Sequence, residues 1–217
     1  MFCQVNQLVC KLASRGRTPS NMFLAYRTAT LDIIIEYLFG YCSNNVNFLD
    51  FKAPLLMDIQ TSVPLLWDLK CFPSIFPLLP YLPRWLAPRI YDQFQAFCSV
   101  QKFLVSSLDR STKEAKAFPG AEYITICHRL LDPSTQTSYA STCKPAFLDE
   151  VFSLIQAGSD TVGNTCTVGT FYILNDNRIL LRLIGELRSV WPDREESIDL
   201  AILESLPYLV RFSTVPP

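Results

Sequence analysis

The sequence predicts a mostly α-helical fold. Apolar residues recur at three- and four-residue intervals over several long stretches, and the alternating pattern of β-strands is nearly absent. The 217 residues are 49% hydrophobic and 12% aromatic, which is enough to form a buried core. Prolines and glycines lie between the helical stretches, so the order of the elements can be predicted from them.

The first predicted helix covers Phe23 to Phe39, and Gly40 follows it as a stop. Helical intervals resume at Ile90 and continue until Phe118-Pro119-Gly120 breaks the pattern. A shorter helix is predicted over Tyr123 to Leu131, before Asp132-Pro133. At least three helices are therefore predicted up to Leu131.

The second half begins with a helix that starts near Phe147 and ends with the segment FYIL. This helix is hydrophobic on nearly all sides, which predicts a central, buried element. Asn175-Asp176-Asn177 predicts a turn with an N-cap, and an amphipathic helix follows that Pro192 closes. A last helical start, LAILESLPYLVR, is predicted to be cut short by FSTVPP.

The most hydrophobic region is Val63 to Pro88, which contains six prolines and the charged residues Asp68, Lys70 and Arg84. Because proline interrupts helices, this region is predicted to be an apolar loop that touches lipid or covers a pocket. No window reaches the roughly 18–20 uninterrupted apolar residues of a membrane-spanning helix. The sequence therefore predicts no membrane anchor of its own.

Charge and cysteine spacing exclude several classes of function. The 19 basic and 20 acidic residues give a net charge of -1, which argues against nucleic acid as a partner. The eight cysteines form neither a CxxC nor a CxH pair, so they do not match a zinc or redox site. Without a secretory leader, we expect most of them to be buried, reduced thiols.

One stretch is unusual for a helix: LIQAGSDTVGNTCTVGTFYIL, from Leu154 to Leu174, has three of the seven glycines in the chain. Each glycine inside a helix costs about 1 kcal/mol relative to alanine. Gly158 would let a flat ligand approach the backbone, and the Thr161 hydroxyl could bond to the carbonyl of Ala157 and open the helix slightly. Asp160 would then supply a carboxylate for proton transfer.

A simpler interpretation assigns the same residues to packing. The glycines would allow close contact between helices, Thr161 would satisfy its own hydroxyl within the helix, and Asp160 would cap a helix or pair elsewhere. The pentapeptide from Ala157 to Thr161 does not by itself decide between chemistry and packing.

The surrounding sequence resembles the cytochromes P450, the haem-thiolate monooxygenases, and within them the fungal type. Their central helix carries A/G-G-x-D/E-T-T/S, and this chain has the same pattern from Ala157 to Thr161, departing only at Val162. Three more segments occur in the order that the family requires: AYRTATLDIIIEYLFG, NRILLRLIGELRSVWP and LESLPYL. The resemblance spans residues 1–209 and implies one partial domain over residues 1–217, from about the fourth helix to the start of the E-x-x-R helix.

The resemblance implies a role for each residue of the pentapeptide. Ala157, Gly158 and Thr161 would lie against haem, and Asp160 and Thr161 would be the acid and the alcohol that deliver protons for oxygen activation. The substrate would be an apolar small molecule, and a flavin reductase would supply electrons. The loop around Phe72 to Leu86 would cover the substrate entrance and touch the membrane surface, since the family is typically found at the endoplasmic reticulum.

Two signatures of the family are missing from these residues. No cysteine lies in a loop like F-x-x-G-x-R-x-C-x-G, and Val215 stands near the expected glutamate of E-x-x-R. We therefore expect a chain truncated at both ends that retains no haem and is inactive alone. His128 could ligate iron, but a lone histidine on a helix is more often a surface residue or a satisfied core group. Cys127 beside it would point about 100° away around the helix, so the two make a poor nucleophile and base pair. The alternative is a non-catalytic helical remnant that contacts proteins or a membrane surface.

Overall fold

The computed structural model describes residues 2–74, 77, 81, 88–117, 125–127, 144–193 and 198–214. These residues contain no β-strand, and the prediction of a mostly α-helical fold is confirmed. The chain divides into two compact units, Met1–Gly163 and Asn164–Pro217, with the boundary inside one helix. The α-helices are α1 (Phe2–Ser14), α2 (Met22–Phe39), α3 (Pro54–Cys71), α4 (Pro88–Ala117), α5 (Lys144–Asn175), α6 (Asn177–Val190), α7 (Leu200–Glu204) and α8 (Pro207–Thr214).

Helix α2 begins and ends at residues that are typical of helix caps. The Asn21 side chain accepts a hydrogen bond from the Leu24 N–H at 3.3 Å. Gly40 takes the left-handed conformation, with φ at 83°, and its N–H donates to the Glu36 carbonyl at 2.8 Å. The predicted helix and its glycine stop are confirmed, since both depend on local contacts.

A buried carboxylate, Asp32, ties the loop after α2 back to the helix. Asp32 is fully buried, and its Oδ1 accepts from the Ser43 hydroxyl at 2.5 Å and from both the N–H and the Nδ2 of Asn45 at 2.9 Å. Its Oδ2 accepts from the Val46 N–H at 2.9 Å. Four donors therefore satisfy one carboxylate inside the core, which is the condition under which a buried acid is tolerated.

Helix α1 does not figure in the sequence prediction. It is held by distant partners: the Lys11 ammonium donates to the Val46 carbonyl at 2.6 Å, and the Gln4 amide donates to the Glu36 carboxylate. Leu8 packs into the same core. These partners lie more than 30 residues away along the chain, so periodicity within α1 could not identify them.

Helix α3 corrects the prediction of an apolar loop from Val63 onwards. Residues 63–71 are helical although Pro64 lies inside the helix, where a proline costs about 3 kcal/mol. The helix starts with Pro54 at its first position, which suits proline. The burial of one face outweighs the cost of Pro64; that face consists of Leu56, Ile59, Ser62 and Leu65.

The longer helices agree with their predicted positions. Helix α4 covers the stretch from Ile90 and ends just before Phe118, and α5 covers Phe147 to Leu174. Asp176 caps α6 by accepting from the Arg178 N–H at 2.8 Å, as the predicted turn required. Most of the predicted Tyr123 to Leu131 helix and of residues 75–87 lies outside the described residues.

The last helix corrects another prediction. Residues 212–214 belong to α8, so FST continues the helix that was predicted to stop there. Within the second unit, the Glu186 carboxylate of α6 accepts from the N–H groups of Tyr208 and Leu209 at 2.9 and 2.8 Å. A carboxylate at the N-terminus of α8 satisfies donors that have no partner inside the helix.

The described helices also bear on the membrane prediction. None of them combines the length and the apolar character that crossing a bilayer requires.

The cysteines are less buried than predicted. Six of them are described as free thiols; Cys127 is buried, whereas Cys10 and Cys71 are exposed. Both exposed cysteines lie in helices, on the side that faces solvent. The side chains of the other two cysteines, Cys3 and Cys143, are not described.

We expect Cys127 to resist alkylation in the folded chain. Burial raises the pKa of its thiol to about 12, and the thiolate is the reactive form. Iodoacetamide at pH 8 should label Cys10 and Cys71 within minutes, while mass spectrometry should find Cys127 modified only after urea is added. The ordinary pKa of a cysteine thiol is 9.0, so this thiol ionises at a lower pH in the unfolded chain than in the folded chain. The contribution of this thiol to the free energy of unfolding is therefore highest below pH 9.0 and falls as the pH rises towards 12. Labelling of all three cysteines at equal rates without urea would contradict this result.

Candidate functional site

The glycine-rich pentapeptide lies in the middle of α5. One stripe of this helix is buried, and its members recur every four residues: Phe147, Val151, Ile155, Ser159 and Gly163. Ala157 and Thr161 lie on the opposite, exposed side. The predicted central, buried helix is thus buried along one stripe and partly exposed elsewhere, since Val162 is 50% exposed.

The predicted hydrogen bond of Thr161 is confirmed. Its hydroxyl donates to the Ala157 carbonyl at 2.7 Å. A second hydroxyl, from Thr30 of α2, reaches the Ser159 carbonyl at 2.9 Å. The helix nevertheless stays α-helical throughout, so the predicted opening is not seen. The buried stripe is packed both before and after the pentapeptide along the helix, and this packing keeps the backbone regular.

Gly158 does not lie on the open side of α5. A Cβ atom added to it would lie 3.0 Å from Cγ1 and Cδ1 of Ile34 on α2. A Cβ added to Gly163 would come within 2.8 Å of the Arg27 Cγ and 3.2 Å of the Arg27 Cα. Both glycines therefore allow α2 and α5 to approach closely, as the packing interpretation proposed. At Gly158 the side chain of Ile34 takes up part of that space, and the contact of Gly158 with a flat ligand stays a prediction.

Asp160 forms an ion pair with Arg27. The Arg27 Nη2 lies 2.9 Å from the Asp160 Oδ1, and the arginine side chain is 13% exposed against 39% for the aspartate. The guanidinium also lies over the Phe23 ring, 4.0 Å from its centroid. The sequence prediction allowed Asp160 to pair elsewhere, and Arg27 is that partner. Proton transfer by Asp160 stays a prediction.

A polar chamber adjoins this ion pair. It has a volume of about 280 Å³ and lies between α2, α3 and α5. Three buried polar atoms of its lining residues, Arg27 Nε, Gln60 Nε2 and Gln156 Oε1, make no hydrogen bond within the described structure. Water is the usual partner of such groups in protein interiors, so the chamber suits several ordered waters beside Asp160.

An apolar groove lies on the other side of Gln156, between α3 and α5. Its volume is about 430 Å³, within the range of small-molecule sites. Ala157 forms part of the α5 wall, and Val63 and Gln156 border both the groove and the polar chamber. The lining residues are Val63, Leu66, Trp67, Lys70, Phe152, Ser153, Gln156 and Ala157.

The sequence prediction missed the residues that surround the pentapeptide. Arg27 and Gln60 are distant in sequence and become neighbours of Asp160 only when the helices pack. A weak signal existed in Gln60 and Gln156, which are polar residues in helices that are otherwise largely apolar.

The described residues offer no metal centre. They contain no group of three histidine, cysteine, aspartate or glutamate side chains that could hold a metal ion. His128 lies outside the described residues. Cys127 is buried with a raised pKa, which disfavours the thiolate that would bind a metal.

The described residues form a mostly helical structure with a small-residue face beside an apolar groove, and the chain is similar to several known proteins. No family model matches the chain. It is 31% identical over 199 residues to the cytochrome P450 monooxygenase macH of Penicillium terrestre, which covers 92% of this chain and 39% of that protein. It is 29% identical to the cytochrome P450 monooxygenase MO6277 of Ascocoryne sarcoides, over 88% of this chain and 39% of that protein.

A third relative is the conidiogenone synthase PchP450 of Penicillium rubens, 27% identical over 95% of this chain and 40% of that protein. The chain is a cytochrome P450-like polypeptide related to fungal monooxygenases, and the predicted resemblance is confirmed. It spans about two fifths of the length of these relatives.

Proposed function

We propose that these residues form the oxygen-activating part of a cytochrome P450 monooxygenase. The family reaction inserts one oxygen atom from O₂ into an apolar small molecule, with electrons from a flavin reductase. The observation that carries the proposal is the position of Ala157 and Thr161, which lie one turn apart on the exposed side of α5. In this proposal residues 1–217 are the middle of the P450 domain.

Haem fits one side of the pentapeptide and not the other. Ala157 and Thr161 are exposed and small, and the Thr161 hydroxyl is turned towards the helix backbone, so a flat group can lie against them. The side chain of Ile34 packs against Gly158, so the Gly158 backbone is less open to the same group than Ala157 and Thr161 are. When bound, haem with a thiolate ligand supplies the iron chemistry that activates dioxygen.

Two residues of α5 handle protons in this proposal. Thr161 holds its hydroxyl hydrogen towards the Ala157 carbonyl, and a change of χ1 rotamer would turn the hydroxyl group away from that carbonyl. Asp160 borders the polar chamber and exchanges protons with the water that the chamber suits. Arg27 holds the Asp160 carboxylate in place. The apolar groove, with Ala157 in its wall, receives the substrate.

A segment exchange tests the proposal. Residues 1–209 of this chain would replace the matching stretch of the Penicillium terrestre relative, and the reduced, carbon-monoxide-treated chimera should show the thiolate haem band. In that chimera Asp160→Asn and Thr161→Ala should keep the band but lower product formation by about 100-fold, because each removes a proton-transfer group. Thr165→Ala, one turn further along α5, should leave product formation unchanged.

Two controls make a negative result informative. The same exchange with the segment from the Ascocoryne sarcoides relative shows whether the host accepts a foreign segment. The proposal is wrong if the chimera with the Ascocoryne sarcoides segment shows the band and the chimera with residues 1–209 of this chain does not. It is also wrong if Asp160→Asn and Thr161→Ala leave product formation intact. We also propose that the 217 residues alone form no thiolate-ligated haem, since none of their cysteines lies in the ligand loop; the band in that sample would contradict this part.

A further inference from the structure

The apolar groove carries a single charge, at Lys70. The structure describes all eight residues that line the groove; seven of them are uncharged, and none is acidic. We propose that the groove selects apolar small molecules that carry a carboxylate, and that Lys70 determines this preference. The inference rests on the proposed function, since it names the substrate class of the same groove.

Lys70 and Trp67 form one end of the groove. Positions 63, 66, 67 and 70 recur at helical intervals, so α3 turns one face of side chains into the groove. The Trp67 side chain is 64% exposed, which leaves an aromatic face open to a ligand. The Lys70 Nζ lies 5.3 Å from the centroid of that ring. The ammonium group lies over one face of the ring, and an exposed aromatic ring beside an ammonium group matches a flat acid better than a neutral molecule.

No acidic side chain of the described residues lines the groove. The nearest acid of the adjoining chamber, Asp160, lies beyond Gln156 and is paired with Arg27. Lys70 is in the last turn of α3, where carbonyl groups at the helix end favour a cation. The described structure shows Lys70 in contact with the Trp67 ring and in no ion pair. A ligand carboxylate would add a charge-assisted hydrogen bond without breaking an existing pair.

The size of the effect follows from the exposure of the site. A pair between a ligand carboxylate and an exposed lysine strengthens binding by about two- to fivefold, because solvent screens the attraction. The apolar lining supplies the rest of the affinity equally for charged and neutral ligands. The preference for the acid should therefore be modest and should depend on one side chain.

A pair of isosteric probes tests this inference. The 217-residue chain, labelled with ¹⁵N at its tryptophans, would be titrated with 2-naphthoate and with 2-naphthamide, and the indole N–H signal of Trp67 would be assigned with Trp67→Phe. We expect 2-naphthoate to shift the Trp67 signal and to bind about two- to fivefold more tightly than 2-naphthamide. Lys70→Met should abolish the difference and Lys70→Arg should retain it, whereas Lys52→Met, at an exposed lysine away from the groove, should leave it unchanged.

Each other outcome overturns the inference. Equal affinity for the acid and the amide, no binding of either probe, an unchanged preference in Lys70→Met, or shifts confined to Trp85 and Trp191 would show that Lys70 does not select a carboxylate in this groove. Self-association that covers Trp67, seen as a concentration-dependent shift without a probe, would assign the face to a second copy of the chain. The titration requires no haem, so its failure beside an intact chimera spectrum would overturn only this inference.

Discussion

Replacing Asp32 by alanine is expected to lower the free energy of unfolding by about 3–5 kcal/mol, since each buried N–H left without a partner costs about 1–3 kcal/mol. The fully buried carboxylate accepts from the backbone N–H groups of Asn45 and Val46 as well as from two side chains. Alanine would leave both N–H groups without an acceptor. Urea unfolding, followed by far-ultraviolet circular dichroism, measures the loss.

Two further variants separate this effect from a general effect of removing an acid. Asp32→Asn keeps one oxygen and should cost less, about 1–3 kcal/mol, because only part of the acceptor set is lost. Asp109→Ala removes an exposed aspartate from α4 and should change the free energy by less than about 0.5 kcal/mol. If Asp32→Ala and Asp109→Ala have equal unfolding midpoints, the loop after α2 does not depend on this carboxylate.

Enlarging Gly163 is expected to have the second largest effect. A Cβ at this position meets not only the Arg27 side chain but also its backbone N and Cα, both at 3.2 Å, so the neighbour cannot move aside easily. Gly163→Ala should lower the free energy of unfolding by up to about 2 kcal/mol, since overpacking costs about 1–3 kcal/mol against a gain of about 1 kcal/mol in helix propensity. Gly163→Leu should cost about 3 kcal/mol or more.

Gly185 provides the matched control. It also lies within a helix, but an added Cβ would meet nothing within 4 Å. Gly185→Ala should therefore raise the free energy of unfolding by about 0.5–1 kcal/mol through helix propensity alone. The two substitutions thus have opposite expected signs in the same assay. A stabilising effect of Gly163→Ala would mean that α2 and α5 do not approach as closely as described.

The sequence predicted helices wherever local signals agreed. For α2, α4, α5 and α6, periodicity, caps and breakers lie within the element or next to it, and each prediction is confirmed. The failures have a common cause. Helix α1 depends on partners beyond residue 30, and α3 continues through Pro64 because its buried face is worth more than the proline costs.

The candidate site likewise contains one feature that the sequence predicted and others that it could not predict. The bond from the Thr161 hydroxyl to the Ala157 carbonyl was predictable, because a threonine and the carbonyl four residues before it are neighbours in any α-helix. The direction of Gly158 and the partner of Asp160 were not, since Ile34 and Arg27 lie on another helix more than 120 residues earlier.

The sequence by itself thus determined the helices with local caps, the pentapeptide of α5 and its internal hydrogen bond, because each depends on residues a few positions apart. The tertiary structure alone decided which side of α5 is open and which glycines serve packing. It also decided that Gln60 and Gln156 border one chamber and that Lys70 lies in the groove. Those relations arise where helices meet, and long-range packing chooses among many arrangements that the local pattern allows equally.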